Sequence, residues 1–204
     1  MSKYMTFVFD DGPCEPMCEM VDLLKSYGFS GGFAIMGKKI NDDTEPMLRY
    51  AVDNGFTLVS HSVTHCNLVK LGREEIKHEL YAPIDEIKRR IGYKITMARL
   101  PFISYSDEVL SVTKELGLVL LGQGIDGGRD WADDADPKTV ASAVLSSASD
   151  GAVGCLHVKN TTLEALKTIL PELKKAGYFL LSPEEMIKKS KTQTPLGVNL
   201  DFIK

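Results

Sequence analysis

The sequence predicts an α/β fold whose parallel strands form a closed or nearly closed barrel with helices outside. Apolar runs rich in Val, Ile, Phe and Leu alternate with amphipathic helical stretches along the whole chain. Seven such strand–helix units in a row indicate a parallel sheet, although this alternation also fits a doubly wound open sheet. The barrel is favoured because polar residues stand at the carboxyl ends of many different strands, and they converge only if the strands circle one axis.

The elements follow one another with clear boundaries. The predicted strands span residues 5–9, 32–36, 56–60, 97–100, 118–122, 152–156 and 178–181. The predicted helices span residues 16–27, 45–54, 73–91, 106–116, 137–148, 162–176 and 183–189. Glycines suited to a left-handed C-cap follow six of these helices, at Gly28, Gly55, Gly92, Gly117, Gly151 and Gly177. We find no internal repeat or linker, so residues 1–204 are predicted to form one domain, with the segment after Ser190 packed on its surface.

The composition is that of an ordinary globular domain. Of the 204 residues, 44% are hydrophobic and 25% are charged. The net charge of −4 comes without a basic stripe, which argues against a nucleic-acid partner. No apolar stretch approaches the roughly 18 residues of a membrane span. The N-terminus lacks a signal-peptide core, so we expect a cytoplasmic monomer, or an exported, cell-wall-associated protein if an export segment has been removed.

Two short motifs carry residues suited to a divalent metal. Asp10 and Asp11 end the first predicted strand, and two adjacent carboxylates there repel each other unless a cation is near. His61 and His65 lie four residues apart, beginning at the end of the third strand. One carboxylate and two imidazoles with an open fourth position are typical of a catalytic metal site, and the second carboxylate could accept a proton from bound water. The motifs therefore indicate a metal-dependent hydrolase.

Further charged residues stand at later strand ends. Arg99 is an isolated cation at the end of the fourth strand, where a buried guanidinium needs an anionic partner. Asp130, which precedes the single tryptophan Trp131, is the expected partner. His157 is the polar end of the apolar sixth strand, and a satisfied core histidine is the alternative interpretation of it.

The four cysteines give no separate motif. Cys14, Cys18, Cys66 and Cys155 form no CxxC pair and are too few for a disulfide framework. Three of them lie within a few residues of candidate site residues. A cysteine-containing metal site is therefore the alternative to reduced thiols near a cleft.

Five segments in this order resemble the motifs of the polysaccharide deacetylases, the NodB-like domain of carbohydrate esterase family four. The resemblance spans about residues 5 to 190. The segments are Phe9-Asp10-Asp11-Gly12, His61 to His65, Arg99-Leu100-Pro101-Phe102, Asp130-Trp131 and Leu156-His157. The resemblance implies a distorted (β/α)7 barrel, which agrees with the seven predicted units.

The resemblance also implies a role for each matched residue. Asp11, His61 and His65 would bind a divalent metal, most simply zinc, with cobalt, nickel or manganese as alternatives. Asp10 would be the general base, held by Arg99 and Asp130, and His157 would be the general acid. The backbone N–H of Phe102 would help to bind the oxyanion, and Trp131 and Leu156 would form the pocket for the acetyl methyl group. The expected substrate is an acetylated polysaccharide or oligosaccharide containing N-acetylglucosamine, of the peptidoglycan or chitin type.

The sequence departs from the family pattern at several positions. Phe102 stands where the family usually has Tyr, and Cys155 stands where it has Leu. Three residues rather than two separate Asp126 from Asp130, so Asp126 could carry part of the role given to Asp130. Val158 replaces the Asp that often follows the histidine. These changes leave the metal ligands and the base in place but alter the substrate pocket.

Three other functions are weighed against this one. An acetylxylan esterase of the same family shares every motif, so only turnover of substrates separates it. An inactive carbohydrate-binding protein on the same scaffold would fail to release acetate. Asp11, His61 and His65 could also form the two-His-one-carboxylate site of a ferrous oxygenase, but that site normally lies in a β-sandwich rather than a βα series.

Overall fold

A computed structural model describes residues 2–189 of the chain. The strands of this part are β1 Lys3–Gly12, β2 Gly32–Ile35, β3 Thr57–Ser60, β4 Met97–Ala98, β5 Val119–Leu120, β6 Val153–His157 and β7 Tyr178–Leu180. Its α-helices are α1 Met17–Ser26, α2 Glu45–Asp53, α3 Arg73–Ile91, α4 Asp107–Glu115, α5 Pro137–Ser147, α6 Asn160–Lys175 and α7 Pro183–Lys189. Each predicted element is present. The predicted packing of the segment after Ser190 lies outside the described residues.

The seven strands form one parallel sheet that curls into a distorted barrel. The strand order is β5-β4-β3-β2-β1-β6, and β7 pairs with the start of β1. The two ends of this order, β5 and β6, meet only through the segment that follows β5. There the N–H of Gly124 donates to the carbonyl of Val153 (2.8 Å), and Ile125 bridges to Gly154. The predicted barrel is thus confirmed, with a weakly bridged opening between β5 and β6.

Side chains alternate between the inside of the barrel and the helix-facing outside. A small buried cluster takes one residue from each of five strands, and its members are Val8, Ala34, Val59, Met97 and Val153. It contains no helix residue, so it fills the interior, whereas the larger cluster joins the outer strand faces to the helices. Successive side chains of a strand point to opposite faces. Residues two or four positions beyond this cluster, toward the carboxyl ends, therefore also point inward.

Strands β4 and β5 are shorter than predicted because their ends serve the site instead of the sheet. Pro101 has no backbone N–H and begins a 3₁₀ turn, Pro101–Ile103, in which Phe102 adopts a φ of 59°. The carbonyls of Leu121 and Gly122 accept hydrogen bonds from the Arg99 side chain. Among the described residues, no helix is both long and apolar enough to cross a bilayer.

Candidate active site

The carboxyl ends of four strands bring the candidate residues together. Asp10 lies near the end of β1, His61 follows β3, Arg99 follows β4, and His157 ends β6. Asp10 and His157 are register partners across β1 and β6. Because the strands are parallel and circle one axis, all four residues reach the same end of the barrel.

Asp11, His61 and His65 form the metal-type cluster that the sequence predicts. One ligand atom from each lies within 4.8 Å of the others. The Nε2 atoms of both imidazoles are 3.6 Å from Asp11 Oδ1. Within the described part of the chain, Asp11 Oδ1 and His61 Nε2 are buried and lack a hydrogen-bond partner. Such orphan atoms cost about 1–3 kcal/mol each, and one divalent cation would satisfy both. The donor set therefore fits a divalent metal.

The surroundings of the two histidines suit both of them to act as neutral ligands. His61 Nδ1 lies 2.7 Å from the carbonyl oxygen of Arg99, so the proton belongs on Nδ1 and the lone pair of Nε2 faces the cluster. Burial lowers the pKa of His65. The His65 ring stands edge-on to His61 (4.9 Å) and to Phe102 (4.8 Å). Both imidazoles thus keep fixed orientations.

Left-handed backbone conformations surround the cluster. Asp11, Ser62, His65 and Phe102 have φ values of 68°, 61°, 63° and 59°. For residues other than glycine this costs roughly 1–2 kcal/mol each, so neighbouring contacts must hold them. The Asp11 carbonyl accepts a hydrogen bond from Lys39 Nζ at 2.6 Å, and the Ser62 hydroxyl accepts one from the N–H of His65 at 2.9 Å.

Asp10 is a buried carboxylate beside the cluster. Its oxygens lie 3.0 and 3.1 Å from Arg99 Nε, and Cys155 Sγ lies 3.3 Å from Oδ2. Burial by itself would raise the pKa of Asp10, but the charge of Arg99, with a smaller contribution from His157, holds that pKa below its usual value. The Oδ2 atom is 3.9 Å from His61 Nε2. Asp10 is therefore an ionised acceptor next to the predicted ligands.

Arg99 is fully buried and satisfies its guanidinium mostly with backbone carbonyls. Besides Asp10, it donates from Nη1 to Gly122 and Leu121 and from Nη2 to Gly154 (3.4 Å). Carbonyls can satisfy a buried guanidinium because it has five N–H donors in a fixed fork. The ion pair with Asp10 balances its charge.

The predicted pairing of Arg99 with Asp130 is wrong. Asp130 Oδ1 lies 2.8 Å from His157 Nδ1, while its Oδ2 accepts from the His157 N–H and the Thr162 hydroxyl, both at 2.7 Å. Asp130 lies in the loop after β5, and this loop places it at the end of β6 instead of beside Arg99. There its carboxylate accepts hydrogen bonds from the backbone N–H and Nδ1 of His157 and from the Thr162 hydroxyl. Asp130 thus orients His157. Burial would lower the pKa of His157, but the hydrogen bond and charge of Asp130 raise it above its usual value.

Asp126 takes no part in this arrangement. It is exposed, its Oδ1 accepts the N–H of Gly128 at 2.8 Å, and its own N–H donates to the Ser147 hydroxyl at 3.1 Å. These are the contacts of an Asx turn.

The predicted wall of the substrate pocket needs one correction. Leu156 is 1% exposed and belongs to the helix-facing core, so it does not border the site. By strand alternation the inward residues of β6 that follow Val153 toward the site are Cys155 and His157. Trp131 and Phe102 are exposed at the rim (55% and 63%), and Arg129 lies over the Trp131 ring at 5.3 Å.

Cys155 and Glu79 are among the residues at the site that the sequence did not indicate. Cys155 could have been found, since it lies two positions before His157 on one strand face. Glu79 in α3 binds the loop between the two histidines. Nothing in the helical periodicity of α3 marks it, because the contact joins residues 15 and 16 positions apart.

The fold and the site together define a class of protein: a (β/α) barrel with an Asp-His-His cluster and two carboxylate-based pairs at its strand ends. A profile of the family described as polysaccharide deacetylase matches residues 1–121. The chain belongs to the polysaccharide deacetylase family.

Individual relatives agree with this assignment. A bifunctional xylanase/deacetylase of Pseudobutyrivibrio xylanivorans is 26% identical over 189 residues, covering 91% of this chain and 31% of that protein. The peptidoglycan-N-acetylglucosamine deacetylase PgdA of Listeria monocytogenes is 26% identical over 187 residues, covering 91% of this chain and 39% of that protein. The chain thus spans less than half the length of these two relatives.

A solved structure extends the likeness to the whole barrel. A family 4 acetyl xylan esterase from Clostridium thermocellum, in complex with a cobalt ion, is 25% identical and superposes with a TM-score of 0.85 over 91% of each chain.

Proposed function

We propose that this protein is a metal-dependent deacetylase that removes acetyl groups from glycans containing N-acetylglucosamine, of the peptidoglycan or chitin type. The observation that carries the proposal is the presence of two distinct pairs, Asp10–Arg99 and Asp130–His157, beside the Asp11-His61-His65 cluster. One pair provides an ionised base and the other a protonated acid, which are the two proton-transfer groups that amide hydrolysis needs.

Asp11, His61 and His65 would hold the metal. When bound, a divalent metal lowers the pKa of its water and polarises the acetyl carbonyl. Zinc fits the two nitrogen donors and one oxygen donor, with cobalt, nickel or manganese as alternatives. The cobalt ion of the related esterase supports a metal in this family.

Asp10 would accept the proton of the attacking water. Arg99 and Cys155 hold its carboxylate in place, and its depressed pKa keeps it ionised at neutral pH. A general base of this kind contributes about 10²–10⁴-fold to the rate.

His157 would donate a proton to the leaving nitrogen. Asp130 binds its Nδ1, so Nε2 is the nitrogen free to act. Expulsion of an amine needs a proton donor more than expulsion of a sugar alkoxide does, and the raised pKa of His157 favours its protonated form. The backbone N–H of Phe102 would bind the oxyanion, and the exposed Trp131 would border the acetyl group.

A second candidate substrate is acetylated xylan, which is favoured by the names of the xylanase/deacetylase and the acetyl xylan esterase. The test is acetate release from chitooligosaccharide, peptidoglycan and acetylxylan by chelator-treated protein, before and after addition of zinc or cobalt. We expect metal-restored release with a preference for the N-acetylated glycans. A preference for acetylxylan would favour the second candidate. If no acetate is released from any of the substrates, the alternative of an inactive carbohydrate-binding protein would be favoured.

A further inference from the structure

Glu79 is a buried carboxylate that the proposed mechanism does not use. It lies on α3, is 9% exposed, and directs both carboxylate oxygens at the chain between the two histidines. Its Oε2 accepts the backbone N–H groups of Val63 (2.8 Å) and Thr64 (2.9 Å), and its Oε1 accepts the Thr64 hydroxyl (3.0 Å). We call residues 61–65 the metal loop.

The other side of the metal loop is bound by the turn after β2. The N–H of Gly37 donates to the carbonyl of Ser62 at 2.9 Å, and the N–H of Lys38 donates to the carbonyl of Val63 at 3.0 Å. Glu79 therefore accepts hydrogen bonds from N–H groups of the metal loop, while the turn donates hydrogen bonds to carbonyls of the same loop. A side chain at Gly37 would meet the Cα of Val63 at 3.1 Å, so the two segments are in close contact.

The attachment of the metal loop to both Glu79 and the turn after β2 matters because two residues of the loop have strained backbone conformations. Ser62 and His65 both have left-handed backbone conformations, which are costly for residues other than glycine, so a free loop would relax toward ordinary φ values. That relaxation would rotate His65 away from Asp11 and His61. Charge-assisted hydrogen bonds such as those to Glu79 are about twice as strong as neutral ones, so they oppose it.

We propose that Glu79 is a positioning residue for the metal centre, which holds the metal loop in the strained conformation that directs His65 toward Asp11 and His61. The inference rests on the proposed function, because it concerns metal binding at those three residues. Glu79 acts through the backbone of the loop and does not touch the ligand side chains or the substrate.

The test compares variants on the same face of α3. Glu79→Ala removes every contact to the loop. In Glu79→Gln the carbonyl oxygen can accept both N–H groups, while the charge is lost and the hydrogen bond with the Thr64 hydroxyl is reversed, with the amide as donor. The matched control is Glu75→Ala, one turn earlier, because Glu75 caps its own helix at the Gly72 N–H (2.9 Å) without binding the loop.

Two measurements are made on chelator-treated protein: the affinity for zinc or cobalt by calorimetry, and hydrogen exchange at the amides of Val63 and Thr64. We expect Glu79→Ala to weaken metal binding by up to about 10–100-fold, the loss that follows removal of a direct hydrogen-bond partner of a ligand, and to speed exchange at both amides. Glu79→Gln should lose less, and Glu75→Ala should match the wild type in both.

Metal affinity of folded Glu79→Ala within about twofold of the wild type would overturn the proposal. If Glu79→Ala does not fold, Glu79→Asp decides, because its carboxylate is one methylene too short to reach both amides. Wild-type affinity and exchange in Glu79→Asp would then refute the inference. A wild-type protein that binds no metal would instead refute the proposed function, and the exchange rates of the metal-free variants would still test the attachment of the loop.

Discussion

The two pairs beside the metal-type cluster, Asp10–Arg99 and Asp130–His157, differ in what each partner can do with a proton. The side chains of Arg99 and Asp10 are 0% and 6% exposed, whereas His157 is 16% exposed above the buried Asp130. A guanidinium stays charged at all ordinary pH values, so the first pair is fixed in charge and keeps a carboxylate ionised. The imidazole of the second pair can release its proton and reaches the surface of the site. The same ion-pair arrangement thus suits the first pair to the proposed role of base and the second to the proposed role of acid.

The largest effect should come from removing the fixed base. Asp10→Asn should reduce acetate release by about 10²–10⁴-fold while the zinc affinity stays within a fewfold of the wild type. The amide keeps the shape of the carboxylate but cannot take up a proton. Turnover and calorimetric zinc binding are measured on the same preparation. Near wild-type turnover in the metal-loaded variant would remove Asp10 from the role of base.

A smaller loss should follow from disturbing the second pair. Asp130→Ala leaves His157 in place but frees its ring, so the rate should fall by less than the roughly 10²–10⁴-fold that loss of the acid itself brings. Asp126→Ala, in the exposed turn, is the control and should remain close to the wild type. The kcat values of the two variants are compared. A larger loss in Asp126→Ala would show that the spacing in this loop has exchanged the two roles.

The pH dependence should separate the pairs. If His157 is the proposed acid, turnover requires its protonated form and should decline as the pH rises through the raised pKa of that group. In Asp130→Ala this alkaline decline should move to lower pH, because burial remains and the hydrogen bond is lost. Linkage gives the same sign for stability: the contribution of the pair is complete below the unfolded pKa of about 6.5 and is lost as the pH rises through the folded pKa. An unmoved alkaline limb in the kcat profile would contradict the assignment of His157 as the acid.

The smallest effect concerns the thiol beside the base. Cys155 Sγ lies 3.3 Å from Asp10 Oδ2, and burial raises the pKa of this thiol well above its usual value, so it remains a donor. Cys155→Ala should lower kcat about 2–10-fold, as expected for one hydrogen bond, with KM unchanged, and Cys155→Ser should recover much of the loss. Cys18→Ala, on the partly exposed face of α1, serves as the control. Equal rates for the alanine and serine variants would show that the thiol only fills space.

Much of this arrangement follows from local patterns in the chain. Alternating apolar runs and glycine caps predicted the order of strands and helices, and the position of Asp11, His61 and His65 at strand ends predicted their meeting. The partner of Asp130 could not be predicted in this way. A loop separates Asp130 from β5. The acceptors of Arg99 are mostly backbone carbonyls, which every residue has, so no residue type in the sequence marks them. Leu156 was assigned by motif rather than by strand parity, which places Cys155 on the inner face.

Arg99 also bridges the opening between β5 and β6. Its guanidinium reaches the carbonyl of Gly122 on one side of that opening and the carbonyl of Gly154 on the other, while its Nε binds Asp10. The residue that holds the proposed base therefore also links the two sides of the weakly bridged opening in the barrel wall. If the opening widens, the Arg99 side chain would shift and would displace Asp10 with it. Thermal loosening of the barrel and loss of catalytic alignment should consequently begin at the same place.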